Sequence, residues 1–137
     1  MNIKVVFIIL GEPNSIFSEI LLRYYTSRQF KKNKKKIILI GCKKLFEKQM
    51  KFLGYNLMIN EINEIKYASH KFINIININF KFKNAFGKIS TLSNNYIRRC
   101  FSLGIKLLKH HKDSALINGP ISKTHFLKKK FPGITEY

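Results

Sequence analysis

Residues 115–137 read ALINGPISKTHFLKKKFPGITEY, and the fold turns on how this stretch is read. Ala115, Leu116 and Ile117 are a short apolar run of the kind that forms a buried strand. Asn118-Gly119-Pro120 breaks it at once. Ser122 can cap the short basic helix that follows, with Lys123 in its first turn. Phe131-Pro132-Gly133 is a second turn, and Thr135 and Glu136 place hydrogen-bonding groups directly after it. In open α/β proteins, breaks at the carboxyl ends of strands are where ligands bind. The chain stops at Tyr137 with no closing element. The expectation is an α/β piece whose most informative part lies against its own C-terminal end.

Working outward, the earlier segments fit that class. Residues 3–10 (IKVVFIIL) are aliphatic and β-branched without alternation, which predicts a strand buried on both faces, as in a parallel sheet. Gly11-Glu12-Pro13 ends it, and Asn14 or Ser15 is placed to cap a helix with Ile16, Ile20, Leu21 and Tyr24 as its inner stripe. Residues 31–36 (KKNKKK) have no aromatic or arginine partners woven through them and read as a solvated loop. Residues 37–40 form a second strand ending at Gly41. Residues 45–53 form a helix closed by Gly54, and 55–59 a third strand. Residues 60–69 read as loop or a frayed helix. Residues 72–82 (FINIININFKF) alternate, which predicts a strand near a sheet edge with one wetter face. The longest helix is expected within 87–111, with Ile89, Leu92, Tyr96, Cys100, Leu103 and Leu107 on one face. Ser90 or Ser93 would cap it, and Lys109, His110, His111 and Lys112 sit where the helix dipole favours positive charge. No linker interrupts the chain, so residues 1–137 read as a single, incomplete α/β domain.

The chain carries 26 Lys and Arg against 7 acids, a formal charge of +19. Such an excess suits nucleic acid, an anionic membrane surface or phosphorylated substrates. Lys far outnumbers Arg, and Ile, Asn, Phe and Tyr are also abundant, so the charge reads as broad compositional drift instead of a dedicated patch. A hydrophobic fraction of 45% argues against wholesale disorder. The apolar run at 5–10 is too short to span a membrane and lacks a cleavage site. Cys42 and Cys100 stand alone, which disfavours a zinc or redox motif and fits free thiols in a reducing, cytoplasmic setting.

Three constellations could carry chemistry. The turn at 11–15 could offer helix N-terminal amides to an anion, although an ordinary βα turn is the favoured explanation. Lys123, at the start of a helix after a strand-end turn, could meet a phosphate or carboxylate as a point charge. Thr135 and Glu136 follow the second turn. If the strands are parallel, Gly11, Asn118 and Thr135 gather at one sheet edge and make one crevice. His110 and His111 are adjacent and point apart on a helix, and His70 and His125 have no histidine or acidic partner nearby. No metal site and no catalytic residue is therefore assigned within the chain, and no HExxH, GxSxG or P-loop pattern occurs.

These motifs, in this order, resemble the N-terminal portion of the 4-hydroxythreonine-4-phosphate dehydrogenase family of vitamin B6 synthesis. Gly11-Glu12-Pro13 with Glu19-Ile20 is similar to the family's opening GDPAGIGPEI. Gly87-Lys88-Ile89-Ser90 is similar to its GKLS helix start. Residues 115–123 with 131–136 are similar to ALVTAPINK and FPGHTEF, the most specific pair. The resemblance implies a three-layer α/β fold like that of isocitrate and isopropylmalate dehydrogenases, of which only the N-terminal part is present. It implies oxidation and then decarboxylation of a phosphorylated hydroxy amino acid by a homodimer. The cofactors would be NAD(P) and a divalent metal, with the metal ligands and most cofactor-binding segments beyond this chain, leaving the chain alone inactive. Substrate binding falls to Thr135, which matches the family threonine, to Lys123, and to the position of Ile134, where the family has histidine. Ser15 and Phe17 replace glycines of the opening loop and Ser18 its proline. Those departures leave two other expectations open: a non-catalytic relative that binds a phosphorylated ligand, and, least supported, a basic nucleic-acid-binding module.

Overall fold

The computed structural model describes residues 2–122. Its centre is a five-stranded sheet in which every pairing is parallel. In chain order the strands are β1 (Val5–Ile9), β2 (Lys36–Gly41), β3 (Ile59–Glu61), β4 (Ile73–Asn77) and β5 (Ser114–Asn118). They lie side by side in the order β3-β4-β2-β1-β5. The helices are α1 (Phe17–Tyr25), α2 (Arg28–Lys32), α3 (Lys43–Phe52) and α4 (Asn94–His110).

Parallel strands must be joined by crossovers, and the crossovers cover both faces. On one face Ile8, Leu39 and Ile75 pack against Leu21, Leu22 and Tyr25 of α1 and Phe46 and Met50 of α3. On the other, Phe7, Ile9, Ile38 and Ile40 pack against Tyr96, Ile97 and Cys100 of α4. Successive residues of one strand thus feed two cores, which explains why residues 5–9 and 37–40 are apolar without alternation. The result is three layers, helix–sheet–helix, in agreement with the expected α/β class.

Several local expectations are corrected. α1 begins only at Phe17, after Ile16, and no side chain caps it. Its buried face is Ser18, Leu21, Leu22 and Tyr25, while Ile16 and Ile20 are 67% and 51% exposed. The expected stripe contained Leu21 but was set about one residue out of phase, because it assumed a start at residue 14 or 15. Lys31 and Lys32 belong to α2, capped by the Ser27 hydroxyl accepting from Phe30 N, and Lys36 opens β2, so the lysine run is only partly loop. The third strand forms at 59–61 instead of 55–59, and a 3-10 turn at Ile65–Tyr67 follows.

β4 lies between β3 and β2, second from the edge, and is shorter than expected. Its presumed wetter face is not wet: Asn74 is fully buried. The Asn74 amide donates to Ile37 O at 2.9 Å and Ser69 O at 2.8 Å, and its Oδ1 accepts from Ser69 N and Asn60 Nδ2. A buried amide with its donors and acceptor engaged carries little net penalty. α4 begins at Asn94, behind a 3-10 turn at Thr91–Ser93. Tyr96 and Cys100 face the core as expected, but Leu92 is 87% exposed. Among the described residues β5 is a sheet edge, with Ile117 and Asn118 exposed, so the expected buried strand is buried mainly at its start.

Candidate functional site

The strand order brings two turns together. From β1 the chain moves one way along the sheet, to β2, β4 and β3, and then returns past β1 to lay down β5 on its other side. Loops leaving the carboxyl ends of β1 and β5 therefore meet at one end of the sheet, and the crevice there lies between the turn after β1 and the connection from β4 to α4. Val5–Ile9 run in register with Ser114–Asn118, so Gly11 and Gly119 leave the sheet side by side. Gly119 N donates to Ile9 O at 2.6 Å and Glu12 N to Pro120 O at 2.7 Å. Gly11 has φ +76°, and a Cβ there would stand 2.5 Å from Pro120 O. Only glycine takes both that conformation and that approach without strain. The expected gathering of Gly11 and Asn118 at the ends of parallel strands is what the sheet produces. Thr135, the third member, lies outside the described residues, as do Lys123, His125, Ile134 and Glu136.

Beside that crevice, in the turn after β1, Glu12 is only 4% exposed. The Ser93 hydroxyl donates to its carboxylate, 3.2 Å from Oε2 and 3.3 Å from Oε1. A serine considered only as a helix cap thus holds a buried acid from the other side of the crevice. The cap of the turn at Thr91–Ser93 is Ser90, which accepts from Leu92 N. Asn14 is not a helix cap either. Its Oδ1 accepts from Gly87 N at 2.8 Å and its Nδ2 donates to Lys88 O at 3.2 Å. Beneath them Gln49, 4% exposed, donates from Nε2 to Pro13 O at 2.7 Å and to Ala85 O at 2.8 Å. Three side chains, Glu12, Asn14 and Gln49, therefore stitch the turn after β1 to the connection between β4 and α4.

These walls border a cavity of about 390 Å³ lined by Asn14, Lys81, Lys83, Lys88, Ser90 and Ser93 among others, with no carboxylate. None of the three lysines forms an ion pair among the described residues. Phe80 and Phe82, which also line it, each have one ring contact. Phe80 packs on Tyr96 with centroids 4.8 Å apart, and Lys48 Nζ lies over Phe82 at 5.8 Å. Lysines without an acid among the lining suit a small anion.

The described residues hold no group of three His, Cys, Asp or Glu placed to bind a metal ion. Cys42 and Cys100 are free and buried. Burial pushes the Cys100 thiol up to about 12, so it is no nucleophile at neutral pH. Tyr96, beside it, is raised well above its ordinary value by burial, and its hydroxyl accepts from Cys42 N at 2.8 Å. That contact ties α4 to the start of α3.

The family model described as pyridoxal phosphate biosynthetic protein PdxA matches residues 33–137, most of the chain. The chain belongs to the PdxA family. A 4-hydroxythreonine-4-phosphate dehydrogenase of Sulfurihydrogenibium sp. is 31% identical over 135 residues, covering 95% of this chain and 40% of that protein. Among solved structures, a 4-hydroxythreonine-4-phosphate dehydrogenase from Burkholderia phymatum superposes with TM-score 0.78 at 20% identity. It covers 99% of this chain and 42% of its own. A putative one from Salmonella typhimurium gives TM-score 0.79 at 22% identity, covering 97% of this chain and 42% of its own. The PdxA fold is thus shared along the chain, which spans about 40% of the length of the curated relative it matches.

Some of the site was missed when only the residues were read. Gln49 sits on the buried face of α3 beside Leu45, Phe46 and Met50, and a lone amide in an apolar stripe was the available signal. The Glu12–Ser93 contact spans 81 residues and had no local signal at all.

Proposed function

We propose that this chain is part of an NAD-dependent 4-hydroxythreonine-4-phosphate dehydrogenase, and that its share of the work is to hold the phosphorylated substrate. The observation that carries the reading is the 31% identity to such an enzyme over 95% of the chain. The lysine-lined cavity beside the turns at the ends of β1 and β5 supports it, because a dianionic phosphate is drawn to cations without ion pairs among the described residues in a concave site. On this reading Lys123 supplies a further point charge to the substrate, and Thr135 donates a hydrogen bond to it. Ile134, in the place of the family histidine, can do neither.

The described residues do not fit a metal, and no glycine-rich phosphate cradle is found among them. The divalent metal and NAD(P) of the family would be held by residues outside them, in a homodimer when the remaining segments are supplied. The 137 residues alone, an incomplete domain on this reading, should then reduce no NAD. A chimera tests this, joining the chain to the part of the Sulfurihydrogenibium enzyme that it does not cover. The expected outcome is NAD reduction dependent on 4-phosphohydroxythreonine, raised further by Ile134→His. A folded, dimeric chimera that reduces no NAD with either residue at 134 would contradict the dehydrogenase reading.

The second reading is a non-catalytic relative that binds a phosphorylated small molecule. Ile134, and Ser15 and Phe17 in place of family glycines, favour it. The same folded chimera would then bind the substrate without turning it over.

A further inference from the structure

The lysine run that the crevice does not use borders a second cavity, at the opposite end of the sheet. Its volume is about 530 Å³, and Lys4, Lys34, Lys35 and Lys36 line it. Val5 and Lys36 open β1 and β2, so this cavity lies at the amino ends of the strands. No Asp or Glu lines it, and none of the four lysines has an ion pair among the described residues.

The walls are fixed by the fold. Asn33 Oδ1 accepts from Lys35 N at 3.1 Å, and Asn33 Nδ2 donates to Lys35 O at 2.6 Å, pinning the lysine loop. Lys36 N donates to Lys4 O at 3.0 Å and Lys4 N to Asp113 O at 2.7 Å. His70 lines the far side. Its loop is anchored through Ser69, whose backbone N–H and C=O are both bound by the buried Asn74. The base is apolar: Ile3, Val5 and Ile65 line it, and the last two pack against the core. Four cations that repel one another around an apolar base are stabilised by a ligand with an apolar body and several negative charges.

We propose that this basal cavity is a second ligand site, taking a small organic polyphosphate with its apolar body on Val5 and Ile65 and its phosphates among Lys4, Lys34, Lys35 and Lys36. The site stands apart from the dehydrogenase reading, because its residues lie at the end of the sheet away from the crevice. It also departs from reading residues 31–36 as a merely solvated loop.

ATP is the probe, with tripolyphosphate and a twelve-nucleotide single-stranded DNA as the other arms, titrated by calorimetry at two salt concentrations. Two double variants remove the same charge. Lys34→Gln/Lys35→Gln alters the cavity, and Lys44→Gln/Lys106→Gln alters exposed lysines that line no cavity described above. The first should weaken ATP by about tenfold or more and the second by less than about twofold, since a specific charge contact outweighs a diffuse field. Tripolyphosphate, lacking the apolar body, should bind more weakly than ATP. Equal losses from the two variants would overturn the proposal and assign ATP binding to net charge. DNA binding tighter than ATP and lost equally in both variants would instead make the basic surface a nucleic-acid face.

Discussion

Gln49 shows how much one buried polar side chain decides. Its single amide nitrogen serves two backbone carbonyls, Pro13 O and Ala85 O, from two loops that Asn14 and Glu12 also tie together. Gln49→Leu keeps the volume but leaves both carbonyls without that donor in a buried place. The expected cost is about 2–4 kcal/mol in urea unfolding, from two unsatisfied acceptors. Faster amide exchange at residues 14–15 and 85–88 should accompany it. Cys100 gives the pH counterpart. Burial holds its thiol protonated up to about 12, against an ordinary value of 9. Between those values the unfolded chain loses a proton that the native chain keeps, so stability falls as pH rises above about 9, and is unaffected by this group below it. A thiol reagent at pH 8 should leave Cys100 unmodified in the native protein and label it once the chain is unfolded in denaturant. Neither residue's partner was legible in the sequence. Buried status can be guessed from spacing, but contacts between residues 13, 49 and 85 depend on the completed sheet.

At the scale of elements, strands were legible where both neighbours were certain. β1 and β2 are continuous apolar runs because each is covered on two faces, and their limits were read to within about two residues. Helix phase was harder. α1 was set from a cap at Asn14 or Ser15, but Asn14 is spent on Gly87 and Lys88 and the helix begins only at Phe17. The shift predicts which residues matter. Ile20→Lys should change stability by less than about 0.5 kcal/mol, since that side chain faces solvent. Leu22→Ala, fully buried under the sheet, should cost about 2–5 kcal/mol. Equal effects in thermal unfolding would restore the earlier phase. β4 illustrates a different failure. The alternation of Ile and Asn is what a half-wet strand looks like, yet Asn74 earns its burial through bonds to residues 37, 60 and 69, all remote from or outside the strand.

At the scale of the whole molecule, the parallel sheet and the pairing of the turns at Gly11 and Gly119 followed from motifs that could be read directly. What could not be read was the other wall of the site, the connection between β4 and α4, because Asn14, Glu12 and Gln49 reach it only across the folded sheet. Two of the cation-lined cavities stand at opposite ends of one sheet, and the function proposed above assigns a phosphorylated substrate to the one at the carboxyl ends. The most direct measurement is a titration of the 15N-labelled chain with 4-phosphohydroxythreonine, followed by amide chemical shifts. The account predicts movements concentrated at residues 11–15, 80–93 and 118–122, with Lys4, Lys34–Lys36 and His70 still. Movements confined to those basal residues, or scattered over all exposed lysines, would contradict it.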